Sequence, residues 1–167
     1  METEGEAMTT AARHGSHQAR RGLTVLDGFL GITAVFGGLT LLFGWLPIPA
    51  SLLIGSPFTS YTIPALALTV LVGGGGVLAT VLMRRRSSGS LAASGLAGLA
   101  LLIFEAVELA LIGFSWLLAL YVALGLAIVA LAFGLWLAER AAPHGAAVRA
   151  AATPGASERA TYTGGKP

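Results

Sequence analysis

Residues 91–113 read LAASGLAGLALLIFEAVELALIG. As a helix rising about 1.5 Å per residue, this run is long enough to cross a hydrocarbon core of about 30 Å. It contains two carboxylates, Glu105 and Glu108, and no basic residue to neutralise them. Three more runs of the same kind complete the pattern, at 23–46, 63–83 and 116–137. Together they predict an all-α protein, a four-helix transmembrane bundle (multi-pass, integral to the membrane). Residues 1–22 and 138–167 flank it as short disordered tails. The partner this implies first is the lipid bilayer.

Composition agrees. Hydrophobic residues make up 55% of the 167-residue chain and charged residues 11%, against about 25% charged in an ordinary soluble domain. There is no cysteine, which excludes a disulfide framework, a thiolate metal site and a cysteine nucleophile. Nine of the ten basic residues are arginine. With the abundance of Ala, Gly and Leu, that bias points to a GC-rich bacterial genome, and so to the bacterial cytoplasmic (inner or plasma) membrane.

Arginine placement sets the orientation. Arg13, Arg20 and Arg21 precede the first run, Arg84, Arg85 and Arg86 fill the second link, and Arg140, Arg149, Arg159 and Lys166 follow the fourth run. The links 47–62 and 114–115 carry no charge. With four spans, every basic residue lies on one side, so both termini are expected to be cytoplasmic. The basic residues border apolar runs, so they read as topology signals and not as a nucleic-acid surface. The two-residue link 114–115 makes spans three and four an antiparallel hairpin. Link 47–62 is rich in proline yet largely apolar. With Trp45, Phe58 and Tyr61 at headgroup level, it is expected to cap the helix ends.

Within that link and beyond it, Gly55-Ser56-Pro57-Phe58-x-Ser60-Tyr61-x-Ile63-Pro64 is followed by the glycine run 73–76, and Glu108 stands just ahead of Ile112-Gly113. This pattern resembles a family of small bacterial four-span integral membrane proteins, over roughly residues 21–138. Ala65 departs from it, where that family favours glycine. The resemblance implies the four-span architecture and brings no activity with it.

Polar residues inside the spans are the only candidates for chemistry. Counted inward from the uncharged helix ends, Glu108 and Tyr121 lie about 7–8 Å deep, Thr40 and Thr69 about 9 Å and Glu105 about 12 Å. Each span therefore delivers a hydrogen-bonding side chain to one layer, and Glu105 and Glu108, three apart, share a helix face. Two readings of this cluster stand open. It is a polar clasp, with contacts of about 0.6–2 kcal/mol each, or it is a relay for protons or cations. Span three has eleven Leu, Ile, Phe or Val residues, contributing on the order of 5 kcal/mol to insertion, which its two acids largely offset. Insertion together with span four, as a hairpin, resolves this.

Other features read as structural. Run 73–76 lacks the Lys-Ser/Thr of a phosphate loop and serves close helix packing, or else a joint in span two. Ala34-x-x-x-Gly38, Ser94-x-x-x-Gly98 and Ala130-x-x-x-Gly134 read as small-residue packing faces. Asp27 is expected to pair with Arg20 or Arg21 or to complement the helix N-terminus. His14, His17 and His144 lie in the tails without metal-ligand spacing. No catalytic set, metal motif or cofactor signature occurs, so no enzyme activity and no cofactor is expected. The leading expectation is a structural or modulatory subunit that forms a homo-oligomer or binds another membrane protein. The alternative is a channel or carrier subunit that conducts protons or cations through Glu105 and Glu108.

Overall fold

The computed structural model describes residues 2–45, 49 and 57–151, with side chains for 15–45, 49 and 57–141. Among these there is no strand. The helices are α1 (Glu2–Leu42), α2 (Thr62–Leu66), α3 (Gly74–Arg84), α4 (Ser90–Leu111) and α5 (Trp116–Ala151), and a π-helical segment, Ala67–Gly73, joins α2 to α3. Four stretches are long and apolar enough to cross a membrane: Gly15–Leu42, Thr62–Arg84, Ser90–Leu111 and Trp116–Ala141. They correspond one to one with the four runs expected from the sequence. Most of the link 47–62 lies outside the described residues.

Two expectations are corrected. The tails are not wholly without structure, because α1 begins at Glu2 and α5 continues to Ala151. Residues 2–12 include three Glu and three Ala, which favour helix, and the acidic residues complement the N-terminal dipole. Beyond span four, alanine dominates, and an existing helix elongates without a new nucleation cost. Pro143 lacks a backbone donor, yet the helix passes through it. The second correction concerns the end of the first run. Its helix stops at Leu42, not at residue 46.

The stop has a local cause. Gly44 adopts φ +66, its N–H donates to the Leu41 carbonyl (3.3 Å), and the Trp45 N–H donates to the Thr40 carbonyl (3.0 Å). This is a Schellman closure. The same pattern closes α3, but with Arg86 at φ 52, bonded to the Met83 carbonyl at 3.1 Å, and Ser87 bonded to Leu82 at 3.1 Å. At the far end of α4, Gly113 takes φ +97. Ser115 then caps α5, its hydroxyl accepting from the Leu118 N–H at 3.1 Å.

Large apolar side chains lie both inside, as Leu23, Leu30, Leu101 and Ile128 do, and outside. Phe29, Ile32, Phe36, Val70, Leu96, Ile103 and Phe133 point outward. Ala34, Ala65, Ala79, Ala97 and several glycines point inward. In hydrocarbon there is no hydrophobic drive between helices, and small residues that allow close approach carry the contact. The tightest contact joins the first two spans. A Cβ built on Gly31 would stand 2.8 Å from the Val77 nitrogen, and one on Gly76 2.8 Å from the Gly31 nitrogen. One on Gly73 would stand 2.9 Å from the Val35 nitrogen, and one on Gly38 2.8 Å from the Ala65 carbonyl oxygen. The glycine run is therefore a packing surface, as expected, and its partners Gly31 and Gly38 lie a heptad apart on α1.

Span two is also irregular. Its π segment ends on Gly73, the first residue of the glycine run, and the Thr69 hydroxyl donates to the Ala65 carbonyl at 2.8 Å. That carbonyl is the acceptor a regular α-helix gives to the Thr69 N–H, and such competition loosens and bends helices. Spans three and four meet at Gly98 and Gly125. A Cβ on Gly98 would stand 3.0 Å from Ile128 and Val129, and one on Gly125 2.9 Å from Leu102. Ser94-x-x-x-Gly98 is thus a packing face as expected. Ala130-x-x-x-Gly134 is not one within the chain: both residues are exposed, and a Cβ on Gly134 meets nothing within 4 Å.

A second compact unit begins at Trp136. In it the Arg140 guanidinium lies 3.8 Å over the Trp136 ring, a cation–π contact of the kind suited to a membrane–water boundary.

Candidate functional site

On α4 the buried positions Leu91, Ser94, Gly98, Leu101 and Glu105 recur at alternating intervals of three and four. This seam carries Glu105 into the bundle, where only 4% of it is exposed. Glu108 lies three residues on, at the edge of the same face, and is half-buried. It opens instead onto a groove of about 790 Å³ between the second and third spans, lined by Phe58, Tyr61, Leu68, Ala97 and Phe104 among others. The two acids share a helix face, as expected, but not an environment.

The other residues expected in the polar layer form no one network among the described residues. Tyr121 packs against the apolar core. Thr40 is buried, and its hydroxyl donates to the Gly37 carbonyl at 2.8 Å. The Thr69 hydroxyl is occupied by Ala65, as described above. Among the described residues no hydrogen bond joins either glutamate to Tyr121, Thr40 or Thr69. The physical reason is local. A threonine within a helix reaches its own carbonyl three or four residues back more readily than a partner on another helix, and Thr24, Thr33 and Thr80 do the same.

The polar contact that does cross between spans involves a residue the sequence reading placed elsewhere. Asp27 is completely buried. Its Oδ2 accepts a hydrogen bond from the Ser94 hydroxyl at 2.5 Å, the short distance typical of a charge-assisted O–H···O bond. Oδ1 is also buried, with no hydrogen-bond partner among the described residues. The expected ion pair with Arg20 or Arg21 is therefore corrected: the partner of Asp27 is a serine on α4. The signal was available in the spacing. Leu23, Asp27, Leu30, Ala34 and Gly38 fall at helical intervals on one buried stripe, so Asp27 belongs to the seam, and Arg21 to the exposed face.

Chemically, the arrangement offers buried carboxyls and hydroxyls but no nucleophile–base set. Among the described residues no group of three His, Cys, Asp or Glu side chains could share a metal ion. What the geometry does provide is one inter-span carboxylate–hydroxyl bond towards the arginine-bearing end of the bundle. It also provides one sealed acid and one groove-facing acid towards the opposite end. The chain matches no protein-family model, no curated protein and no solved structure.

Proposed function

We propose that this is a non-enzymatic multi-pass protein of a bacterial cytoplasmic membrane, both termini cytoplasmic, of the small four-span type its sequence resembles. Its role is to assemble, with further copies of itself or with another membrane protein, as a structural or modulatory subunit. The observation that carries this reading is the outward face of α5. Ala119, Ala123, Ala130 and Gly134 recur at intervals of four, seven and four and are all exposed. A stripe of small residues along a membrane helix is the surface on which such helices associate, and the faces around Gly38 and Gly98 are occupied within the chain.

The test is proximity between copies. Chains carrying donor and acceptor fluorophores, reconstituted at low protein-to-lipid ratio, should show energy transfer that falls when Ala130→Leu and Gly134→Leu block the stripe. Unchanged transfer in that variant overturns self-assembly through α5, and the absence of transfer and of any co-purifying membrane protein overturns the assembly reading.

The rival reading is a proton- or cation-conducting channel or carrier subunit, and Glu108 on the groove is the observation that favours it. Glu105, closed in by side chains, does not favour it. In proteoliposomes the Glu105→Gln, Glu108→Gln double variant separates the two. Flux lost from a normally folded protein supports conduction, and flux absent from the parent protein as well leaves assembly as the role.

A further inference from the structure

The groove between the second and third spans has a composition that selects a ligand. We infer that it binds a lipophilic organic cation, its apolar body held between the helices and its positive centre against Glu108. The inference rests on the membrane reading and not on assembly through α5.

The groove has the volume of a small-molecule site, about 790 Å³ within the usual range of roughly 300–1,000 Å³. Its walls are aliphatic and aromatic: Phe58, Tyr61 and Phe104 contribute rings, and Leu68, Leu71 and Ile103 much of the remainder. Among the lining residues Glu108 alone carries an acidic group, and none is basic. The other polar side chain at the wall, Tyr61, directs its hydroxyl to the Pro49 carbonyl at 2.9 Å.

A carboxyl surrounded by hydrocarbon is costly in its ionised form unless a positive charge stands beside it, and without one it is held as the neutral acid. No span contains Lys, Arg or His near its level, so the protein does not supply that charge from within the membrane. A neutral acyl chain would fill the apolar walls and leave the carboxylate uncompensated. An anion would be repelled. A cation with a bulky apolar body satisfies both features, and aromatic rings add a cation–π attraction. A hydrated metal ion or ammonium would gain at the carboxylate but lose its water against the apolar walls. The complementary class is therefore a quaternary or protonated amine, or a phosphonium, carrying aromatic or aliphatic bulk.

The experiment uses the full chain in phosphatidylcholine nanodiscs, with empty discs subtracted for partitioning. The probes are tetraphenylphosphonium and tetraphenylborate, which have nearly the same shape and opposite charge. Tetraphenylphosphonium should bind saturably at one site per chain, and tetraphenylborate should not. Glu108→Gln should weaken phosphonium binding at least about tenfold, the equivalent of about 1.4 kcal/mol. Ala100→Phe places a ring at a lining position while keeping the carboxylate, and should weaken binding comparably. If the Gln variant fails to fold, the Phe variant decides. Equal saturable binding of both probes, no saturable phosphonium binding, or full binding by a folded variant of either kind overturns the inference. These outcomes are independent of the energy-transfer result, so the two proposals fail separately.

Discussion

At the scale of single residues, the Asp27–Ser94 bond makes the sharpest statement about stability. A buried carboxylate deprived of its hydrogen bond retains the whole desolvation cost of the orphaned oxygen, about 1–3 kcal/mol. Here Oδ1 is already unpartnered among the described residues, so losing Ser94 would leave both oxygens unsatisfied. Ser94→Ala should therefore lower the thermal midpoint in mild detergent, by an amount equivalent to about 1–3 kcal/mol. Asp27→Asn keeps an oxygen that accepts from Ser94 and removes the charge, at the cost of an amide group where Oδ1 finds no partner, so it should cost less than Ser94→Ala. In the Asp27→Asn background, Ser94→Ala should cost clearly less than in the parent. Additive effects in that double-mutant cycle would show that the charge of Asp27 adds nothing to the bond. Glu105 differs in kind, since it is sealed on the same seam by packing and not by a bond to another span.

At the scale of elements, the bundle depends on how closely its helices approach. Gly31 and Gly76 face each other across the first two spans, with backbone atoms where a methyl group would have to go. The obstruction is main chain and cannot rotate aside. Gly31→Ala or Gly76→Ala should push the helices apart and cost about 1–3 kcal/mol or more. Gly134→Ala, in a helix with nothing near the new methyl, should stabilise the isolated chain by about 0.5–1 kcal/mol. Chemical-denaturation midpoints of the three variants in one detergent check the ordering, and an Ala at Gly31 as harmless as one at Gly134 would refute the close-contact account. The spans themselves were legible because each is an apolar run bounded by arginine, proline or glycine. Their exact ends were less so, since Arg86 takes a left-handed turn that sequence assigns to glycine. The π segment was not legible either. Composition marks a helix as membrane-like and does not mark a widened turn: Thr24 and Thr80 capture a carbonyl four residues back, as Thr69 does, within regular α-helix. The candidate site divides the same way. The position of Glu105 followed from its helix face, whereas the serine facing Asp27 depends on how two spans 67 residues apart come into register.

For the whole molecule the decisive property is orientation. All ten basic residues fall at one end if the four apolar helices each cross the membrane once. The cost of moving an arginine through hydrocarbon is what makes that asymmetry a topology signal. Spans three and four support it physically, because α4 carries two acids while α5, from Trp116 to Leu135, carries none. The link between them, residues 112–115, is short enough to favour entry as a shared hairpin. The cysteine-free chain permits a clean measurement, since each engineered thiol is the only one present. Ser60 and Ser115 are exposed at the uncharged end, and Ser88 is exposed beside the arginine turn. In intact cells a membrane-impermeant maleimide should label Ser60→Cys and Ser115→Cys and leave Ser88→Cys unlabelled until the membrane is opened. Replacing Arg84, Arg85 and Arg86 with alanine should weaken this asymmetry and yield a mixed population, because it removes the only charges holding the middle link to its side. Labelling of Ser88→Cys from outside intact cells would reverse the orientation. Labelling of Ser60→Cys but not Ser115→Cys would mean that the hairpin does not cross, and that the groove and its acid face water instead of lipid.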